Sequence, residues 1–93
     1  MISRPAILKF SRRRPDALVP LMNWCRITRR ANWNSLAEVR SDLRHADAVG
    51  RRTVFNIHGN AYRLIAHVNY RTKRVFILRI LTHAEYAKGE WRE

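Results

Sequence analysis

Apolar residues recur every three or four positions in the first half of the chain and tend to alternate with polar ones in the second. The first spacing is that of a helix with one buried face, the second that of a strand with one buried face. Residues 5–14 carry Ile7, Leu8 and Phe10 ahead of the block Arg12-Arg13-Arg14. Pro15 and Asp16 then punctuate the chain, as such residues do at a helix start. Over residues 17–31, Ala17, Leu21, Trp24, Thr28 and Ala31 form one stripe, widened by Leu18, Met22 and Cys25, with Asn23, Arg26 and Arg30 on the opposite side. Pro20 has no N–H to give a helix interior, so the regular helix is expected to start or kink there. Asn34 or Ser35 caps a shorter helix running to Arg40, and Glu38 stands three residues after Ser35 to complete a capping box.

Residues 53–58, 61–70 and 74–81 are rich in β-branched and aromatic side chains, the composition of strands. Gly59-Asn60 is a tight-hairpin dipeptide and residues 70–73 make a longer turn, so these strands should form an antiparallel meander. Residues 1–4 add a short N-terminal edge strand. The expected fold class is α+β, with N-terminal helices packed on a small, mainly antiparallel sheet, in one domain over residues 1–93 and without repeats or linkers.

Alternation then sorts the strands into two faces. Phe55, Ile57, Leu64, Ala66, Val68, Phe76, Leu78 and Ile80 share the face the helices cover. Val54, Asn56, Arg63, Ile65, His67, Asn69, Val75, Ile77 and Arg79 share the other, a mixture of apolar and cationic groups suited to contact with RNA. A slip of one residue in the register would exchange the two.

Charge sharpens this picture. Lys and Arg number 19 against 7 acids, for a net charge of +12, and 16 of the 19 are Arg. Guanidinium forks onto phosphate with two hydrogen bonds and stacks on bases, which solubility alone does not require. A polyanionic partner follows, either nucleic acid or an acidic protein, set against the plainer reading of a solvated basic surface. The single Cys25, beside Trp24 and Ile27, excludes an internal disulfide framework and reads as a buried thiol. With no uninterrupted apolar run of signal-peptide or membrane-spanning kind, the expectation is a cytoplasmic protein without membrane contact.

Familiar catalytic motifs are missing: Gly50, Gly59 and Gly89 are scattered, and His45, His58, His67 and His83 are too dispersed for a metal set. No cofactor is expected. RNA allows metal-free cleavage, because its own 2′-hydroxyl can attack the adjacent phosphate. The protein must hold the strand, stabilise added charge on phosphorus and move protons. Arg does the first two but is not a base. The segment Thr82 to Lys88 follows the strand bearing Arg79 and offers the third function. If Thr82 caps a short helix with Glu85 in a capping box, His83 and Tyr86 share a face and Lys88 lies nearby.

The ordered combination of "VFNI-GN-YRL" from Val54 to Leu64 with "THAEY" from Thr82 to Tyr86 resembles the HigB branch of the RelE-like toxins. Asn69-Tyr70, Val75-Phe76-Ile77, Pro15-Asp16, Trp24, Arg29-Arg30-Ala31, Trp33 and Ala37-Glu38-Val39 extend the likeness over nearly the whole chain. The resemblance implies a RelE-like fold, messenger-RNA endonuclease activity on the translating ribosome, and inhibition by a HigA antitoxin with a helix-turn-helix domain, through which alone DNA would be reached. By position, Asn56, Asn60, Tyr62, Arg63, Arg79, His83 and Tyr86 match recurrent polar positions of the family. With the reading of the residues themselves, the expected catalytic set is Arg63, Arg79, His83 and Tyr86, with Asn56, Asn60, Tyr62, His67 and Lys88 toward substrate. Arg12, Arg13, Arg14, Arg26, Arg29 and Arg30 would grip ribosomal RNA backbone. This chain departs from the family in having Ala87 where an acid often follows the tyrosine, and in an unusually Arg-rich first helix. A non-enzymatic module that blocks translation by occupancy is the alternative, and a receptor for an acidic protein a third reading.

Overall fold

The computed structural model describes residues 4–89 and 91. Helix α1 (Arg4–Arg13) buries Ile7, Phe10 and Ser11 and ends on Arg12 and Arg13, cations that suit the negative end of a helix. A 3-10 turn, Pro15–Ala17, leads into α2 (Leu18–Arg30), which buries Leu21, Trp24, Cys25 and Thr28. Pro20 occupies the first turn of α2, which starts two residues before it, where N–H groups have no intrahelical acceptor. Helix α3 (Leu36–Asp42) runs past the expected Arg40. Its cap is shared: the Ser35 hydroxyl accepts the Glu38 N–H, while Glu38 Oε1 accepts from the backbone and side chain of Asn34. Both proposed capping residues therefore act, and the box closes on Asn34 instead of Ser35.

The strands are β1 (Asp47–Val49), β2 (Arg52–Ile57), β3 (Tyr62–Asn69) and β4 (Arg74–Thr82), followed by helix α4 (His83–Lys88). They form one antiparallel meander in the order β1-β2-β3-β4. The architecture is the α+β arrangement expected, with a four-stranded sheet in place of three. The additional edge strand is β1; the strand expected at residues 1–4 lies outside the described residues except for Arg4, which opens α1.

One correction concerns the faces. Ile65 pairs with Arg79 but Ala66 pairs with Ile77, so the ladder bulges at Leu78. The extra residue reverses the pleat of β4 on one side of it. Val75 and Ile77, expected on the outer face, join the helix-covered core, whereas Phe76 stacks on His67 outside it at 6.4 Å and is 40% exposed. Leu78 is likewise exposed.

The main core joins Ile7, Phe10, Leu21 and Trp24 of the helices to Phe55, Leu64 and Ala66 of the sheet. Trp24 meets Phe55 edge-on at 5.3 Å, a contact whose removal with the indole would cost about 3–5 kcal/mol. A smaller core lies on the opposite face, where Trp91 covers Val54 and Ile65. Cys25 is a buried free thiol; burial raises its pKa against the opposing pull of Arg29 and Arg4. Among the described residues no helix is long and apolar enough to cross a membrane.

Candidate active site

The hairpin joining β2 to β3 and the start of α4 are built against each other. The last ladder pair before the hairpin is Ile57 with Tyr62, and Tyr62 pairs in turn with Thr82. His58 and Gly59 turn the chain at φ 54° and 62°, and the Ala61 N–H closes the loop on the His58 carbonyl at 3.1 Å. Gly59 adopts this backbone without a Cβ penalty; His58 does not. The His83 N–H donates to the Ala61 carbonyl at 3.0 Å, tying α4 to the loop. The predicted capping box is present: Thr82 Oγ1 accepts the Glu85 N–H at 3.2 Å, and Glu85 Oε1 accepts the Thr82 N–H at 2.9 Å. That second bond is the main reason the Glu85 carboxyl titrates below its ordinary range, with Arg13 and Arg14 adding to it.

Arg63 is not the free cation that alternation suggested. It is only 9% exposed. Its guanidinium donates to the Asn60 and Tyr62 carbonyls and to Asn60 Oδ1 at 3.2–3.3 Å, and lies 5.4 Å from the centroid of the Tyr86 ring. Tyr86 stacks on Trp91 at 4.9 Å, and the Trp91 indole N–H donates to the Tyr86 carbonyl. Arg63, Asn60 and Tyr86 therefore form one clamp between hairpin and helix. Asn56 is the cross-strand partner of Arg63.

Arg79 is exposed and stands at the outer edge of the sheet. There a groove of about 370 Å³ runs between β4 and α1, lined by Lys9, Phe10, Arg13, Leu78, Arg79 and Glu85 among others. Lys9, Arg13 and Arg79 give it three cations, against a Glu85 carboxylate engaged by Thr82. The arrangement can hold a phosphate and leave its other oxygens open to solvent.

Tyr62, predicted to face substrate, is mostly core. Its ring packs edge-on against Phe10 at 5.2 Å, and its hydroxyl reaches Asp16 Oδ1 at 2.6 Å, which raises its pKa. Asp16 Oδ2 lies 3.7 Å from His58 Nε2. His83 is exposed in the first turn of α4, and Lys88 is exposed in its last. His67 sits on the outer face about 13 Å along β3 from Arg63, by strand rise, beside Phe76.

The arginines divide. Arg12, Arg13 and Arg14 close α1 near α4, since Arg13 and Arg14 act on Glu85. Arg26, Arg29 and Arg30 instead line, with Arg4, a separate groove of about 880 Å³ whose apolar walls are Leu18, Val19 and Met22. Asp16, His58, Lys9 and Trp91 were not singled out by sequence reasoning. Pro15-Asp16 read as a helix start, and nothing local links Asp16 to a tyrosine 46 residues away. Trp91 lies beyond the last periodic segment.

The chain is 29% identical over 91 residues to a protein named mRNA interferase HigB from Escherichia coli O6:H1, an overlap covering 95% of this chain and 88% of that one. Residues 17–89 match the family described as the HigB toxin, RelE-like toxic component of a toxin–antitoxin system. The span takes in α2, the whole sheet and α4, and the chain therefore belongs to the HigB toxin family of RelE-like toxins.

Proposed function

We propose that this protein is a metal-independent endoribonuclease that cuts messenger RNA in the ribosomal decoding site and so arrests translation. The name of its relative supports the reaction class. The observation that carries the reading is the gathering of Lys9, Arg13 and Arg79 at the edge of β4, the strand that runs directly into His83 and the helix tied to the hairpin. Arg13 and Arg79 hold the scissile phosphate and offset the charge it gains in the transition state. His83 exchanges a proton with the reacting oxygens. Arg63, Asn60 and Tyr86 fix the hairpin against α4, with Asn56 alongside, and so set the shape of the pocket. Lys88 and His67 lie along the path of the flanking strand. Arg12 and Arg14 add contacts to ribosomal RNA backbone, a sequence-independent and salt-sensitive task. No three His, Cys, Asp or Glu side chains among the described residues gather as a metal ion would require. The partner is a HigA-type helix-turn-helix antitoxin, which alone contacts DNA, and the site of action is the cytoplasm.

Induction in bacteria, followed by mapping of 5′ ends on messages, tests the reading. New ends inside translated codons are expected, and Arg79→Ala should remove them and the growth arrest without altering the melting curve. Undiminished cutting by Arg79→Ala would exclude the edge groove as the phosphate site. Arrested growth with intact messages would identify a protein that blocks translation by occupancy. Arg63→Ala is the poorer probe, because it also removes three hydrogen bonds and a ring contact that hold the pocket together.

A further inference from the structure

His58 stands at the hairpin tip in a left-handed backbone conformation, φ 54°. Residues bearing a Cβ are uncommon there; histidine is among those that tolerate it best, and Lys73 in the β3–β4 turn shares the conformation at φ 61°. The His58 side chain is 50% exposed, with Nε2 3.7 Å from one oxygen of Asp16. The other Asp16 oxygen accepts the Tyr62 hydroxyl at 2.6 Å. The His58 and Tyr62 rings run nearly parallel, 20° apart with centroids separated by 6.3 Å. Tyr62 is fixed by Phe10, and Asp16 by the 3-10 turn that carries it. The His58–Asp16 pair is exposed enough to contribute little to stability by itself, whereas the part-buried Tyr62–Asp16 bond holds the carboxylate in place.

We infer that His58 is a proton-transfer group of the RNA cleavage reaction, with Asp16 as its positioning residue and Tyr62 as the anchor of Asp16. The inference rests on the endoribonuclease reading above. With Nε2–H turned toward the carboxylate, Nδ1 is the ring nitrogen left to take a proton; Asp16 holds the ring and stabilises the imidazolium as it forms. In the step, Nδ1 takes the 2′-hydroxyl proton as O2′ bonds to phosphorus. The P–O5′ bond breaks, and O5′ receives a proton from the His83 imidazolium. The products are a 2′,3′-cyclic phosphate and a 5′-hydroxyl. One proton is accepted and one is given, and no water or metal enters. The charged and titratable groups around His58 are Asp16 on the 3-10 turn and Tyr62 on β3. Arg14, just before that turn, acts on Tyr62, and His83, which opens α4, has its backbone N–H bonded to the Ala61 carbonyl of the same hairpin.

The test is single-turnover cleavage of one message, free and on initiated ribosomes, across about pH 5–8, where histidine changes charge. His58→Gln should slow cleavage by about 10²-fold or more and abolish the acid limb of the wild-type rate profile. Asp16→Asn should give a smaller loss than His58→Gln, in kcat more than in KM. Added imidazole should restore part of the activity of His58→Gly, which a structural role would not permit. A His58→Gln protein that cuts at the wild-type rate, or retains the acid limb, would overturn the inference alone. Wild-type protein that leaves both forms of the message whole would overturn the endoribonuclease reading and this inference with it.

Discussion

Two arginines on neighbouring strands show how little residue type says about duty until the surroundings are known. Arg63 and Arg79 both read as free cations by alternation. The first is spent on the Asn60 and Tyr62 carbonyls and the Tyr86 ring; the second remains open beside Arg13. The difference comes from the hairpin, which folds its carbonyls back over Arg63, and from Trp91, which closes the far side of Tyr86. His58 makes the opposite point, since its value lies in a conformation that costs stability. Replacing it with glycine should relieve that strain, and after the added entropy of the unfolded chain the net gain is about 1 kcal/mol. For a chain of this size that is an increase of about 4–8 °C in Tm. Cleavage by the same sample should collapse. Thermal melting and RNA cleavage on one preparation check the pair, and a lower Tm would mean that the imidazole serves the fold.

Among the elements, α4 depends most on its ends. At six residues it is too short to persist by propensity. It is held by the Thr82–Glu85 box, by Gly89 at φ 75° as its C-cap, and by Tyr86 on Trp91. Thr82→Ala should cost about 1 kcal/mol in denaturant unfolding. The carboxyl of Glu85 has a folded pKa below its ordinary value of 4.5, owing first to the Thr82 N–H. Its contribution is therefore complete above that value and fades as pH falls through the folded one. Melting curves should show wild-type protein losing more stability than Glu85→Gln between neutral pH and the range below about 4.5, the usual carboxylate titration range; equal losses would show that the box carries no charge-dependent stability.

This cap was legible in the sequence because both partners lie within one turn. The β4 faces were misread because a bulge is a property of two strands paired together: neither β3 nor β4 alone marks the residue that Ile65 and Ala66 skip. Strand β1 escaped because three residues, Asp47–Val49, are too few to display a period.

Over the whole molecule, two cation-lined grooves stand out from a charge that composition gives only as a total. Arg13 and Arg79 flank the sheet edge, whereas Arg4, Arg26, Arg29 and Arg30 ring an apolar groove on the helical layer. Val19 in that groove is 76% exposed. Cations around apolar walls suit an acidic amphipathic segment as well as they suit phosphate backbone, and charge reversal distinguishes the two. Arg26→Glu combined with Arg29→Glu should therefore weaken neutralisation by a co-expressed antitoxin while leaving cleavage intact. Growth rescue and message mapping in the same cells separate the two effects, and full rescue would place the antitoxin elsewhere. The helical stripe of α2 and the strand runs made the layers of the fold readable from one chain. The site was only half readable, since Asp16, His58 and Tyr62 meet through tertiary packing.

The bulge at Leu78 has a bearing on solubility. Strand β4 is the longest in the sheet and, among the described residues, pairs with a neighbour on one side only. A long straight edge of that kind invites strands of other molecules to add to it and start an aggregate. The skipped residue twists the edge out of line midway, and Arg74 and Arg79 place charges on either side of the break. Straightening β4 by deleting that residue would leave the composition almost unchanged, yet light scattering at high concentration should then show more self-association than the wild-type protein gives.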